Sequence, residues 1–281
     1  MEKPKQTPEE RERILKMKEF YYDKTFVLFE IVKSLKNREL CFLTKPDDPH
    51  KKTIRYLIAF SIDYLKKHFK WINFDNSLAN MYQSVAKLKD IPVFSYNLSK
   101  RLGEEEYKRF NKEYETYVSG YDLFLDFDGK EDFEKCFKEA TELKKIFDEM
   151  NIPYWLINSS SNGFHFHIPA EYMPNLKLKE TLELINQLIY NLKGIYGFTT
   201  LDDAVIDMKR VCKVPYSVVN DGTICLPLSD EQFEMFRKEN VEILNVLKIV
   251  RIKNRGLLLR DHNLSYEGLR SNVKVFTDEF K

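Results

Sequence analysis

Two hydrophobic rhythms alternate along the chain, and together they predict a mixed fold of helices and antiparallel strands. From 131 to 150 the residues Phe133, Cys136, Phe137, Ala140, Leu143, Ile146, Phe147 and Met150 recur mostly at helical steps, the spacing of one buried helix face. Leu178, Leu182, Ile185, Leu188, Ile189 and Leu192 repeat that spacing, and Gly194 and Gly197 end it. Around these helices the period drops to two. YDLFLDF at 121–127, PYWLIN at 153–158 and FHFHIP at 164–169 predict strands, with SSSNG as the turn joining the last two. A short strand within 202–212 would complete β-α-β-β-α-β, the ferredoxin-like arrangement: four antiparallel strands, two helices behind them and one open face.

Upstream, Thr7-Pro8-Glu9-Glu10 reads as a capping box with proline at the first helical position, opening a charged helix toward Tyr22. A second helical pattern runs over 24–35. RELCFLT (38–44) and TIRYLIAF (53–60) predict strands flanking the turn KPDDPHKK, amphipathic stretches follow at 61–69 and 76–89, and 100–118 is highly charged. Beyond the second half-pattern, a helix is expected at 230–247 and then the basic run RIKNRGLLLR. The chain thus divides into a charged N-terminal helix (1–22), an N-terminal α/β subdomain (23–118), the β-α-β-β-α-β unit (119–228) and a basic helical tail (229–281), one module overall.

The strand at 123–128 carries the chemistry. Leu123, Leu125 and Phe127 point to one face, so Phe124, Asp126 and Asp128 share the other. Burying one unpaired carboxylate costs several kcal/mol, and two neighbours also repel. In the expected topology the first and third strands are central neighbours, which sets His165 and His167 beside the aspartates. Carboxylates two apart on a strand suit a pair of Mg²⁺ or Mn²⁺ ions, hard cations that prefer oxygen. TLDDAVIDMKR supplies a third carboxylate from Asp202, Asp203 or Asp207. Three other readings remain. DFDG is ordinary strand-end chemistry; HFH could be two arms of a zinc site that lacks a third ligand; NGFHFHI fits an RNA-recognition module, which wants stacking aromatics where Asp126 and Asp128 stand.

Charge and composition narrow the classes. The 281 residues carry 45 basic and 44 acidic side chains, so no global field points to nucleic acid and any basic groove is local. Cys41, Cys136, Cys212 and Cys225 show no CxxC spacing and read as reduced thiols. No apolar run approaches the roughly 20 residues that span a bilayer. The charged start MEKPKQTPEERER lacks a signal peptide's apolar core, so a cytoplasmic protein without a membrane partner is expected.

LFLDFD, SSSNGFHFH and Leu201-Asp202, in that order and spacing, resemble the three motifs of the archaeo-eukaryotic primase superfamily. The resemblance is to the small catalytic subunit of primases and to single-chain primase-polymerases. NRELCF and TIRY, with Arg38 and Arg55, resemble the family's upstream segments, and RVCKVPYSV resembles its basic-Pro-x-Ser stretch. Similarity covers roughly residues 20 to 230. It implies an α+β fold: a catalytic core with an RRM/ferredoxin-like βαββαβ unit plus an N-terminal α/β subdomain. It further implies template-directed nucleotidyl transfer by a primase-polymerase on single-stranded DNA, joining NTPs or dNTPs with two Mg²⁺ or Mn²⁺ ions and no zinc. A primer-dependent repair or gap-filling polymerase is the alternative within the family; a non-catalytic RRM-like nucleic-acid-binding module is the alternative outside it.

Carried over by position, Asp126, Asp128 and Asp202 bind metal, with Asp207 or Asp203 as fallback. Ser159, Ser160, Ser161, His165, Lys213 and Ser217 bind the nucleotide. Arg38 and Arg55 sit by the template or initiating nucleotide, or else form surface ion pairs. Tyr56, Tyr82 and Tyr96 are candidates to stack on template or primer strand. Three departures matter: Ser161 and Asn162 stand where the family often has basic residues, Val219 where it often has histidine, and the zinc knuckle of replicative subunits is missing. Lys209, Arg210 or 251–255 could supply the missing grip. The expected setting is a mobile-element, repair or defence system, CRISPR-associated ones included, with an accessory domain or operon partner among the implied partners.

Overall fold

The structure, a computed structural model, describes residues 7–23, 25–44, 52–71, 79–90, 103–159, 162–204, 206–219, 223–236 and 265–279. The chain opens with α1 (Pro8–Asp23) and α2 (Thr25–Ser34), then β1 (Leu40–Thr44), β2 (Lys52–Leu57), α3 (Ile62–Trp71) and β3 (Ala79–Ser84). Next come β4 (Ala86–Leu88), α4 (Gly103–Lys112), α5 (Tyr114–Tyr117) and β5 (Val118–Tyr121). The β-α-β-β-α run predicted from periodicity follows as β6 (Leu123–Asp128), α6 (Phe133–Glu149), β7 (Trp155–Asn158), β8 (Gly163–Ile168) and α7 (Leu178–Tyr196). The described elements end with β9 (Val211–Lys213), β10 (Leu226–Pro227), α8 (Asp230–Glu234) and α9 (Tyr266–Glu279). Residues 45–51 of the expected KPDDPHKK turn lie outside the described residues. So do 237–264, which hold the rest of the helix expected at 230–247 and the run RIKNRGLLLR.

Local chemistry starts and stops these helices as expected. Glu10 N–H donates to Thr7 Oγ1 at 3.2 Å while Thr7 N–H donates to Glu10 Oε2 at 2.8 Å, a reciprocal cap. Asp132 Oδ1 accepts from Lys135 N–H at the start of α6. Gly197, at φ +69°, closes α7 in the left-handed conformation that glycine adopts without strain.

Among the described residues, two four-stranded antiparallel sheets result, in the orders β2-β1-β3-β9 and β10-β7-β8-β6, with β4-β5 as a separate pair. Each has its own core. Phe20, Leu28, Phe42, Phe69, Met81 and Val214 fill the first. Leu125 and Phe127 meet Phe147 of α6, Phe166, Leu188 of α7 and Phe276 of α9 in the second. The stretch 76–89, expected to be amphipathic, forms β3 and β4, whose adjacency carries the chain from the first sheet into the β4-β5 pair.

Two expectations change. The strand at 211–213 does not close the second sheet; it pairs with β3, Tyr82 opposite Lys213, and extends the first. Beside β6 the closing strand shrinks to one antiparallel bridge, Phe127 with Leu201, and β10 takes the opposite edge next to β7. Nor is one face of the second sheet open. β9 lies over it, so Phe124, His165 and His167 are 2%, 4% and 1% exposed, and the face reaches water toward Asp126 and Asp128. No described helix is long and apolar enough to cross a membrane. All four cysteines are buried and unbonded to one another, and burial pushes each thiol up to about 12, which leaves them unreactive.

Candidate active site

β6 and β8 pair in the register that sets Asp126 opposite His165, Phe124 opposite His167 and Asp128 opposite Gly163. The histidines therefore do stand beside the aspartates. His165 Nε2 lies 3.3 Å from Asp126 Oδ1, and the Phe124 ring packs against both imidazoles at 5.0 and 4.7 Å. Two motif glycines make this register close. A Cβ on Gly163 would come within 2.3 Å of the Phe127 carbonyl oxygen, and one on Gly129 within 2.6 Å of the Asn162 oxygen.

The third carboxylate arrives through the same strand. Asp128 N–H donates to Thr200 O and Asp202 N–H to Asp126 O, both at 2.8 Å, so the loop after α7 runs antiparallel to the end of β6. Glu139 of α6 fastens this loop, accepting from the N–H and hydroxyl of both Thr199 and Thr200 at 2.7–3.1 Å. Burial raises the Glu139 carboxyl, but those donors outweigh it and hold it below the usual carboxylate range. Lys193 adds a bond to Leu201 O at 3.1 Å and an ion pair to Asp203 at 3.0 Å. Asp203 is thereby drawn away, while Asp207 spends its carbonyl on Tyr121 Oη and its Oδ1 on Lys209 N–H.

Arg210 stands between the two halves. Its Nη2 lies 3.5 Å from Asp126 Oδ2 and 3.4 Å from Asp202 Oδ2, and Nε is buried without a partner. Lys130 holds Asp128 at 3.0 Å and is itself raised by that carboxylate. Burial pushes the Asp126 carboxyl up; His165, then Arg210 and Lys213, outweigh it and hold it below its ordinary value. With these cations in place, no three described His, Cys, Asp or Glu side chains gather to share one ion. His165 and His167 have ring centroids 6.1 Å apart and face different acids, Asp126 and Asp122.

Among the nucleotide-binding candidates, Lys213 Nζ donates to Ser159 O at 2.6 Å, which ties β9 to the turn before β8. Ser160 and Ser161 lie outside the described residues. Ser217 is 1% exposed in a turn that serves the first core, its N–H bonded to Val214 O and its carbonyl to Cys225 N–H. Tyr96 and the side chain of Tyr56 lie outside the described residues; Tyr82 accepts a long bond from Asn80 at 3.5 Å.

Arg38 needs correcting. It is 2% exposed and spends its guanidinium on Ser84 O, Val85 O and Asp122 Oδ2 at 3.0, 2.7 and 2.7 Å. That is a buried pair rather than a surface one, and its donors are committed inside the protein instead of being presented to a template. Arg55 makes a two-pronged pair with Glu39 at 2.7 and 2.9 Å and donates to Lys209 O at 2.9 Å, so it braces the segment leading to Arg210. Lys130, Glu139 and Asp122 carried no sequence signal beyond their charge. Arg210 was visible only as one of several basic alternatives.

Among solved structures, the chain is similar to one titled "Polymerase Domain from Mycobacterium tuberculosis Ligase D in complex with DNA". The TM-score is 0.56 at 13% identity, over 82% of this chain and 88% of that one. No family model and no curated protein sequence matches the chain. Identity this low carries the fold alone: the chain has the mixed α/β, antiparallel-sheet fold of that polymerase domain.

Proposed function

We propose that the chain is a template-directed nucleotidyltransferase of the archaeo-eukaryotic primase superfamily, a primase-polymerase that joins nucleoside triphosphates on single-stranded DNA. One observation carries this reading. Carboxylates from two separate segments, Asp126 and Asp202, converge on a single guanidinium nitrogen at a water-reaching edge, with Asp128 next to them. A structural ion pair has no use for a surplus of acid held by long contacts. An all-oxygen, acidic donor set fits Mg²⁺ or Mn²⁺, and Asp126, Asp128 and Asp202 would hold them. Bound there, two such ions supply activation of an attacking hydroxyl and stabilisation of a leaving pyrophosphate.

The chain's own groups do the rest. Lys213 and His165 border the carboxylates and suit the polyphosphate of a nucleotide, and Arg210 is an exchangeable cation between them. Against the non-catalytic RNA-binding alternative stands Phe124, the aromatic of that face, which at 2% exposure offers no stacking platform. The printed title of the similar structure, a polymerase domain bound to DNA, favours a second reading of the same site: extension of an existing primer without initiation.

The test is nucleotide incorporation on unprimed and on primed single-stranded DNA, with Mg²⁺ or Mn²⁺ and ribo- or deoxynucleotides, for the parent and Asp126→Ala/Asp128→Ala. Products on unprimed template that vanish in the variant are expected. Extension of primers alone selects the second reading, and no incorporation in either setting rules out both.

A further inference from the structure

A cavity of about 830 Å³ opens between α2, the segment after β2 and the β4-β5 pair, away from the carboxylates. Its floor is apolar, lined by Val32, Leu35, Ile58, Ala59 and Leu88. Phe29 and Phe60 also line it yet are 58% and 66% exposed, an arrangement that costs solvation free energy until something covers them. The Phe60 ring is backed by Tyr64 at 4.4 Å, so it presents a supported surface. Phe29, Val32, Lys33 and Lys36 stand at i, i+3, i+4 and i+7, so one stripe of α2 and the turn after it forms a wall.

The rim is lopsided in charge. Among the described lining residues, exposed Lys33, Lys36 and Lys89 outnumber the acid Asp90, although the whole chain is nearly neutral. Lys33 is partly engaged by Glu30 at 3.8 Å. We propose that this cavity docks an acidic peptide segment of a partner protein, with large apolar side chains on the floor and carboxylates on the lysines.

Single-stranded nucleic acid is the rival occupant, because exposed rings beside lysines also suit stacked bases. The floor argues against it. A base inserted there would press its ring nitrogens and carbonyls against Val32, Leu35, Ile58 and Leu88, which offer no hydrogen bond; of the polar lining residues Asn37, Arg38 and Ser119, the arginine is already committed to Ser84 O, Val85 O and Asp122. Position argues the same way. Arg38, at the back of the cavity, pairs with Asp122, and the strand from Asp122 to Asp128 spans about 20 Å. The inference does not depend on the nucleotidyl-transfer reading.

The test is selection of a random displayed peptide library on the full chain, followed by affinities for the parent, Lys36→Glu/Lys89→Glu and Phe29→Ser/Phe60→Ser. All four positions are exposed, and unchanged melting verifies the fold. Expected are sequences that combine Asp or Glu with Phe, Leu or Trp, and that lose about tenfold or more in affinity on the charge-reversed rim. No enrichment, enrichment without acidic bias, or equal affinity for the charge-reversed rim overturns the proposal. So does an oligodeoxythymidylate that binds the parent and is released by Phe29→Ser/Phe60→Ser. Incorporation by Lys36→Glu/Lys89→Glu at the parental level separates this test from that of the carboxylate site.

Discussion

One arginine meets an aspartate at each end of β6, and the two contacts differ in nearly every physical respect. At the entrance, Arg38 and Asp122 touch at 2.7 Å with side chains 2% and 1% exposed. Asp122 also accepts from Ala170 N–H at 2.9 Å, and Arg38 from the same guanidinium holds two carbonyls. At the exit, Arg210 spreads over Asp126 and Asp202 at 3.5 and 3.4 Å, with the three side chains 26%, 19% and 31% exposed. A dry pair with its bonds made can only hold the fold, since losing one partner strands a charge. A long, shared, water-reaching contact can be exchanged for another cation. The same residue types therefore serve as a bolt in one place and as a candidate reaction centre in the other.

The sharpest way to break this comparison is to remove a carboxylate at the exit. Asp126→Asn should cut nucleotide incorporation at least about a hundredfold while lowering the urea midpoint much less than Arg38→Ala does, because Arg210 keeps Asp202 and water although the favourable carboxylate contacts to His165 and Arg210 are weakened. A large loss of stability with it would make the exit a bolt as well. At the entrance, Arg38→Ala should cost about 3–5 kcal/mol in urea unfolding, and Arg38→Met/Asp122→Leu should recover much of it. An inactive but fully stable Arg38→Ala would erase the distinction.

Acid should separate the two ends next. Burial raises the Asp122 carboxyl, but Arg38 and His167 outweigh it and bring it to about 2. Its folded value lies below its unfolded one, so its stabilisation is complete above the unfolded value and lost as pH falls toward 2. The loss should be about 2 kcal/mol between pH about 4 and about 2, absent in an Asp122→Asn/Arg38→Met background. Glu139→Gln, which weakens the clamp on Thr199 and Thr200, should cost about 1–2 kcal/mol and lower turnover with it by loosening the Asp202 loop. Lys130→Ala removes an ion pair whose partners are 74% and 44% exposed, and should change stability by less than about 1 kcal/mol.

Much of the second sheet was legible because its signals are local. Leu125 and Phe127 alternate with Asp126 and Asp128, and a period of two has one structural meaning. That the histidines stand beside the aspartates followed from strand order; the register that sets Asp126 opposite His165 came from the structure. Other features were not legible, each because its partner is remote. Val211–Lys213 is a three-residue strand whose own sequence cannot choose between two sheets; its pairing with β3 decided the matter and closed the face over Phe124. Glu139 carried no signal beyond its charge, because its Thr199 and Thr200 donors lie 60 and 61 residues away in sequence. Arg38, within a motif suggestive of nucleotide contact, turned inward because Asp122 lies beneath it.

By itself, then, the sequence determined the β-α-β-β-α order from β6 to α7 and the face that carries Asp126 and Asp128. These follow from backbone geometry and burial over a few residues. Only the tertiary structure decided which arginine is locked and which is shared, which acid joins the pair, and where the sheet meets water. Those outcomes depend on the distance and dielectric between groups far apart in the chain, and neither is written in any local pattern.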